Sequence, residues 1–193
     1  MTALSRNYFG GITAIILIML AFGCGDENGT NPFPDEIILH HDGDNFTAPN
    51  LGAGTYQAAA RFSADEIKAW SGMKVVEVRY FFVEKPDQCK INIYGANSDK
   101  SPGQLLYSAD VGHTTNATSW NIHQLSTPVT VTASDLWISI EFEQKTSLKS
   151  IGCDPGPNVK DGDWLFSSND DQWRAFSERT NASINWNIRA LLK

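Results

Sequence analysis

The feature that most constrains the fold of this chain is a long series of short apolar segments separated by turn residues. The segments are rich in β-branched and aromatic residues, which favour strands. Their spacing of about 8 to 12 residues is typical of an antiparallel sandwich or barrel, and not of alternating strands and helices. The predicted strands are Glu36–His41, Tyr56–Phe62, Lys74–Glu84, Lys90–Tyr94, Gln104–Val111, Thr118–Leu125, Thr127–Thr132, Leu136–Gln144, Ser150–Cys153, Trp164–Ser167, Trp173–Ser177 and Asn185–Leu192.

Alternation of apolar and polar residues within these segments predicts which face of each strand is buried. In Lys74–Glu84 we expect one face to carry Val76, Val78, Tyr80 and Phe82. In Leu136–Gln144 we expect Leu136, Ile138, Ile140 and Phe142 to point inward, and Trp137, Ser139, Glu141 and Glu143 to point outward. Both strands are therefore predicted to have one face on a shared core.

One short helix is predicted within this all-β pattern. Ser63 and Glu66 have the spacing of a capping box, in which the glutamate reaches back to the start of the helix. Gly72 is a typical residue just past a helix end. We therefore expect a helix over Ala64–Ser71.

Composition excludes several classes of protein. The chain has 193 residues, 15 Lys and Arg against 22 Asp and Glu, and a net charge of −7. A nucleic-acid-binding domain needs a basic face, so we expect no nucleic-acid partner. The mean hydropathy of −0.27 argues against a polytopic membrane protein, and the length indicates one domain.

The N-terminal residues have the features of a lipoprotein signal peptide. Arg6 precedes an apolar run from Ile12 to Phe22, which is long enough for a signal sequence but short of the roughly 20 residues of a membrane-spanning helix. Gly23 directly before Cys24 resembles the bacterial lipobox. That resemblance implies diacylation of the Cys24 sulfur with palmitate-type chains, cleavage of residues 1–23, and acylation of the new amine. An ordinary secretory signal is the alternative.

Residues 24–35 are predicted to be a flexible tether, because they are polar, contain glycine and proline, and have no periodicity. The acidic body does not favour anionic headgroups, so the lipid would anchor the protein. Gly25 after the cysteine is similar to the outer-membrane sorting pattern of Gram-negative lipoproteins. We expect an outer-membrane or cell-surface location outside the cytosol, with residues 36–193 as the folded domain.

A set of short motifs follows in a fixed order along this domain. They are Ile93-Tyr94-Gly95, Pro102-Gly103, Leu106-Tyr107-Ser108, Pro128–Val131, Leu136-Trp137-Ile138, Gly152–Pro157, Gly162-Asp163-Trp164 and Asn185–Arg189. As a set they resemble an accessory β-sandwich module of secreted and cell-surface proteins in Bacteroidetes and relatives. The resemblance implies a jelly-roll-like or Ig-like antiparallel sandwich. It also implies a binding or adhesive role and not a reaction.

Two cysteines remain if Cys24 carries lipid. Outside the cytosol an even pair is expected to be oxidised, so we predict a disulfide between Cys89 and Cys153. Closing a loop of about 65 residues would stabilise the fold by roughly 4 kcal/mol in the chain-entropy model. Two buried free thiols are the alternative.

Acidic residues near glycine suggest a structural calcium site. Asp154, Asp161 and Asp163 could supply several oxygen ligands if their loops converge. The alternative is turn chemistry, in which each carboxylate accepts hydrogen bonds from nearby backbone. No other cofactor is expected, and the histidines lack metal-ligand spacing.

Aromatic residues are the strongest functional signal, since the chain has six tryptophans. Trp137 lies on the polar face of its strand, and Trp173 follows an acidic turn that contains Asp170 and Asp171. We predict that these four residues contact a sugar, the rings by stacking and the carboxylates through hydroxyl groups. The alternative is that the rings only cover the core. We expect three other tryptophans to be packing residues: Trp120, Trp164 and Trp186.

The sequence as a whole predicts a lipid-anchored lipoprotein whose sandwich binds a glycan or a protein partner, and not an enzyme. One alternative is a glycan-active hydrolase that uses carboxylates such as Asp163 and Glu141. Another is a structural component of the envelope. A concave pocket with two carboxylates would favour the hydrolase, and a flat face with tryptophan would favour the binding module.

Overall fold

The computed structural model describes residues 36–99 and 101–193, which form two antiparallel β-sheets. The strands are β1 (Ile37–Leu39), β2 (Gly54–Phe62), β3 (Lys74–Phe82), β4 (Gln88–Ala96), β5 (Pro102–Asp110), β6 (Ser119–Thr130), β7 (Leu136–Gln144), β8 (Trp164–Ser167), β9 (Gln172–Ala175) and β10 (Ile188–Leu192). The helices are α1 (Ala64–Ile67), which continues as a 3₁₀ turn over Lys68–Trp70, and α2 (Phe176–Thr180).

The four-stranded sheet has the order β1-β10-β3-β6, and the six-stranded sheet has the order β5-β4-β7-β2-β8-β9. Every paired strand is antiparallel to its neighbour. The predicted all-β antiparallel sandwich is therefore confirmed. Among the described residues, no helix is long and apolar enough to span a membrane.

The core lies between the two sheets and is lined by the apolar face of each strand. The largest completely buried side chains are Trp137, Trp186, Tyr80, Phe82, Phe142, Ile67, Ile91, Ile93, Ile138, Ile140, Ile151 and Ile188. All but Trp137 belong to one contiguous apolar cluster. The inward positions predicted for β7 are confirmed, because alternation along a strand holds wherever one face is buried.

A bulge in β3 makes one predicted core position wrong. The register between β3 and β6 shifts between Val75 and Glu77, so the alternation changes phase there. Val75 is completely buried and Val76 is only half-buried. Val78 and the positions after it keep the predicted face.

Several predicted element boundaries also differ. The segments predicted as Thr118–Leu125 and Thr127–Thr132 form the single strand β6, and Ser150–Cys153 makes only isolated bridges. The strand predicted over Trp173–Ser177 ends at Ala175, because the chain turns into α2. The Glu66 carboxylate accepts a hydrogen bond from the Ser63 backbone N–H at 2.7 Å, as the capping box predicts.

The predicted disulfide is not present. Cys89 and Cys153 are both free and buried, so the structure takes the alternative of two buried thiols. Cys89 lies on β4 opposite Phe142, whereas Cys153 bridges to Thr47 and Trp186. Each cysteine is thus bound into its own backbone ladder. Burial raises the pKa of each thiol to about 12.

The signal peptide (1–23), Cys24 and the tether (24–35) lie outside the described residues. Their assignment therefore remains a prediction from the sequence.

Candidate functional site

The outer face of the six-stranded sheet carries a cluster of aromatic side chains on β7, β8 and β9. The rings of Trp137 and Trp164 have centroids 5.1 Å apart, and those of Trp137 and Trp173 are 5.6 Å apart. Phe166 packs on the other side of Trp173 at 5.8 Å. The alternation of outward positions along adjacent strands brings these rings together, since Phe166 and Trp173 are directly paired across β8 and β9.

Trp137 is on the outer face, as predicted, but its side chain is completely buried. Trp164 and Trp173 cover it, and the Arg61 guanidinium lies 5.8 Å from its ring centroid. The prediction that Trp137 contacts a ligand directly is therefore wrong. Its ring instead supports the two half-buried rings above it. Its Nε1 has no hydrogen-bond partner among the described residues.

Small outward residues next to Trp137 leave room for these rings to lie close to the sheet. Ala59 pairs with Ser139 on β7 and with Trp164 on β8. Both Ala59 and Ser139 are completely buried even though they belong to the outer face. A larger side chain at Ala59 would lift the indole rings away from the sheet.

A cleft of about 410 Å³ opens beside this cluster. On one side it is lined by the loop between β4 and β5, and on the other by β8 and the β8–β9 hairpin. Its volume falls within the range of small-molecule sites. The lining residues are Asp99, Ser101, Trp164, Asp171, Gln172 and Trp173.

The loop side of the cleft is shaped by hydrogen bonds within the loop. The Asp99 carboxylate accepts bonds from the Ser101 backbone N–H at 3.0 Å and from the Ser101 hydroxyl at 2.5 Å. Asn97 donates to the Ser101 hydroxyl at 3.1 Å. The bonds from Ser101 lower the pKa of Asp99 below its ordinary value, because they stabilise the ionised carboxylate. Asp99 therefore enters the cleft as a negatively charged acceptor at neutral pH.

The hairpin side is held by an arginine from α2. Arg179 donates to the Asp170 carboxylate at 2.6 Å and to the Gln172 carbonyl at 2.7 Å. Asp171 adopts a left-handed conformation with φ of 54°, which directs the chain into β9. Of the two predicted acids, Asp171 lines the cleft and Asp170 does not. Asp170 instead braces the hairpin through Arg179.

The predicted calcium ligands do not come together. Among the described residues no group of three or more His, Cys, Asp or Glu side chains could hold a metal ion. Asp161 accepts from Arg61 and from the Trp164 indole, while Asp163 accepts from the Ser177 backbone N–H at the start of α2. These carboxylates stabilise tertiary contacts, which differ from the turn chemistry with nearby backbone given as the alternative.

Asp154 has the densest set of donors. Its carboxylate accepts bonds from the backbone N–H groups of Gly43, Gly156 and Asn185, and from the Asn185 side chain. Burial alone would raise the pKa of Asp154, but these hydrogen bonds outweigh it and lower the pKa. The carboxylate therefore ties three loops together in its ionised form.

The pair of carboxylates named for hydrolysis does not face one cleft. Glu141 lies on β7, where it accepts bonds from Asn92 at 3.1 Å and from Lys90 at 3.4 Å. Asp163 is 1% exposed and is held against α2. The carboxylates that line the cleft beside the aromatic cluster are those of Asp99 and Asp171.

Sequence reasoning missed Asp99, Ser101 and Gln172, and it assigned Trp164 to packing alone. Trp164 does pack on Trp137, but it also lines the cleft. The acids and amides of the loop after β4 were read only as turn residues. Nothing in the local sequence indicates that this loop faces the β8–β9 hairpin, which lies about 70 residues further along the chain.

No protein-family model and no curated protein matches this chain. Two solved structures of the protein Cwp84 have a similar fold. One is a clostridial cysteine protease Cwp84 variant after propeptide cleavage, with a TM-score of 0.58 and 10% identity over 82% of this chain and 40% of that chain. The other comprises the cysteine protease and lectin-like domains of Cwp84, a surface layer associated protein of Clostridium difficile. Its TM-score is 0.56, with 12% identity over 84% of this chain and 36% of that one.

This chain therefore spans less than half the length of the Cwp84 chains it matches. At such low identity the likeness concerns the fold alone.

Proposed function

We propose that this protein is an extracytoplasmic binding module that holds a carbohydrate in the cleft between the β4–β5 loop and the β8–β9 hairpin. The observation that supports this most directly is that Trp164 and Trp173 line the cleft together with Asp99, Asp171 and Gln172. Sugars have apolar C–H faces and a rim of hydroxyl groups, so they need both kinds of contact. A cleft that combines part-exposed indole rings with hydrogen-bonding side chains meets this need.

The charge state of the cleft fits hydroxyl recognition. An ionised carboxylate has two oxygens and accepts hydrogen bonds only, so it pairs with hydroxyl donors on adjacent carbons. Asp99 is kept ionised by Ser101, and Gln172 adds an amide. The aromatic cluster and the Arg179 contacts hold the walls before a ligand arrives, which lowers the ordering cost of binding.

The similarity to the Cwp84 structure supports the carbohydrate-binding proposal by analogy. That protein is described as surface layer associated, and the solved portion includes lectin-like domains. We extend the analogy only to a surface location and a glycan-binding role. An acyl chain on Cys24 would supply the tether to an outer membrane or cell surface, as the sequence predicts.

A glycoside hydrolase is the second candidate, because Asp99 and Asp171 line one concave cleft. Such an enzyme needs one carboxyl group that is protonated at the working pH, and therefore has a raised pKa. The pKa of Asp99 is lowered, and both carboxylates are exposed to solvent. These properties favour binding over hydrolysis.

The test is a glycan array followed by calorimetric titration of the best-bound oligosaccharide, using the full chain in detergent. We expect Trp173→Ala to weaken binding about tenfold or more, since it removes a stacking surface. Trp120→Ala is the matched control, because Trp120 is a half-buried indole on the four-stranded sheet, stacked on Arg189. Loss of binding in both variants, or no binding by the wild type, would overturn the proposal. Release of reducing ends would favour the hydrolase.

A further inference from the structure

A second cavity of about 500 Å³ lies next to the cleft on the same side of the six-stranded sheet. Trp164 lines both cavities, so the two spaces adjoin at this residue. The other side chains of the second cavity that matter here are Arg61, Asn158, Lys160, Ser177 and Glu178. Adjacent subsites for a chain of sugars need this arrangement, in which two cavities share one half-buried indole.

Trp164 is held firmly enough to act as the ridge between the two spaces. Its Nε1 donates to the Asp161 carboxylate at 3.0 Å, and the same carboxylate oxygen accepts from Arg61 at 2.8 Å. The same indole packs on Trp137, with ring centroids 5.1 Å apart. The ring cannot turn without breaking this hydrogen bond and exposing Trp137. A rigid ridge favours a ligand that lies across it over one that must push it aside.

The charges around both spaces select against acidic ligands. The cleft is lined by Asp99 and Asp171, and its Gln172 accepts a hydrogen bond from the exposed Arg174. The second cavity is lined by three carboxylates and two cations, which are Asp161, Asp163, Glu178, Arg61 and Lys160. Negative side chains are therefore in excess among these residues. Arg61 is almost completely buried, and its guanidinium is already paired with Asp135 and Asp161. It therefore offers no free positive charge to an anionic polymer. An excess of negative charge repels uronic acids, sulfated sugars and sialic acids.

We infer that the cleft and the second cavity together form one groove that binds a linear oligosaccharide without acidic groups across Trp164. This inference rests on the proposed function and adds the ligand's length and charge class. A short sugar fills the cleft alone, whereas a longer chain also reaches the second cavity. Affinity then increases with chain length until both spaces are filled.

The experiment is a titration of the full chain with linear oligosaccharide series, from disaccharides to hexasaccharides. The neutral probes are β-1,4-glucose, β-1,4-N-acetylglucosamine, β-1,4-mannose and α-1,4-glucose oligomers, and the acidic probe is an oligogalacturonate series. In at least one neutral series we expect the hexasaccharide to bind about tenfold or more tightly than the disaccharide. Oligogalacturonates should bind more weakly than that series.

Two variants locate the effect. Glu178→Trp places a large side chain in the second cavity, so the ratio of hexasaccharide to disaccharide affinity should fall close to one. Trp164→Ala removes the shared ring and should weaken binding of both lengths. Trp120→Ala, on the other sheet, should leave the ratio unchanged. Thermal melting of each variant identifies any that fail to fold, and Lys160→Trp, which places a large side chain in the same cavity from an exposed position, is then used in place of Glu178→Trp to lower the ratio.

Each outcome decides between the two proposals. Neutral oligosaccharides that bind with the same affinity at every length would overturn the two-subsite groove and leave the carbohydrate-binding function standing. Tightest binding of oligogalacturonate would overturn the charge selection. Absence of binding by every series, together with a silent glycan array, would overturn both proposals.

Discussion

The indole ring of Trp137 lies against that of Trp164, with centroids 5.1 Å apart and planes inclined by 60°. One ring is completely buried and the other is part-exposed, although both belong to the outer face of the same sheet. The buried Trp137 ring thus supports the part-exposed Trp164 ring, which lines the cleft. Stability and binding should therefore respond differently to changes at these two positions.

Trp137→Phe should cost little stability, because the lost indole N–H has no hydrogen-bond partner in residues 36–99 and 101–193. We expect a decrease in the free energy of unfolding of about 1 kcal/mol for Trp137→Phe and about 3 to 5 kcal/mol for Trp137→Ala, which leaves a cavity. Trp186→Phe is the matched control, since the equally buried Trp186 donates to the Trp164 carbonyl at 2.9 Å. It should be more costly than Trp137→Phe by about 1 to 2 kcal/mol.

Denaturant unfolding measures all three variants. A cost for Trp137→Phe as large as that for Trp186→Phe would mean that the Trp137 N–H makes a bond that stabilises the fold.

Asp154 should make the fold sensitive to acid. Its pKa is lowered in the folded state, so its contribution to stability is present at neutral pH and is lost as the pH falls through the folded-state pKa. Asp154→Asn should lower the unfolding free energy by about 2 to 4 kcal/mol at pH 7 and by less in acid. Asp65→Asn is the control, because Asp65 pairs with Lys68 at the exposed surface and should change stability by less than about 1 kcal/mol.

Denaturant unfolding from neutral pH to pH 3 is the measurement. A difference between wild type and Asp154→Asn that stays constant with pH would contradict the role assigned to this carboxylate.

Both domain cysteines should be protected thiols. Burial raises the pKa of each to about 12, and the thiolate is the reactive form. We expect an alkylating reagent at pH 8 to leave the peptides containing Cys89 and Cys153 unmodified in the native protein and to label both after unfolding without reductant. Peptide mass spectrometry reads each site separately. Labelling that requires reductant would instead indicate the disulfide predicted from the sequence.

Asp170 and Asp171 should differ in how they affect binding, despite being adjacent. Asp171 lines the cleft, so Asp171→Asn should weaken oligosaccharide binding directly. Asp170 acts through Arg179, so Asp170→Asn should reproduce the effect of Arg179→Ala and add little to it in the double variant. Calorimetric titration of the four variants measures this coupling. Additive effects of Asp170→Asn and Arg179→Ala on the binding free energy would contradict the proposal that Asp170 acts through Arg179.

Much of the fold was predictable because the strands alternate strongly. The inward positions of β7 follow from Leu136, Ile138 and Ile140 alone, since a one-residue slip would expose all of them. The register shift at Val75 was not predictable, because no local sequence pattern marks the bulge that reverses which residues face the core. The end of β9 at Ala175 was also not predicted. The chain turns into α2 there because the first two backbone N–H groups of the helix donate to the carbonyl and the carboxylate of Asp163.

The candidate site was predictable only in part. Trp173 and Asp171 stand out because an indole beside an acidic turn is an unusual surface group, and both line the cleft. Trp137 looks the same by alternation, but it is covered by rings from β8 and β9 that are distant in the sequence. Its burial depends on β8 and β9 following β2 in the sheet order, on the far side of β2 from β7.

The sequence by itself determined that the chain forms a two-sheet antiparallel body and which face of most strands is apolar, because both depend on local periodicity and turn chemistry. Only the tertiary structure decided which tryptophans remain accessible and which acids meet. Those properties depend on strand order and on loops that come from distant parts of the chain. Asp99 and Trp173 share a cleft because the β4–β5 loop and the β8–β9 hairpin face each other, and no local pattern encodes that approach.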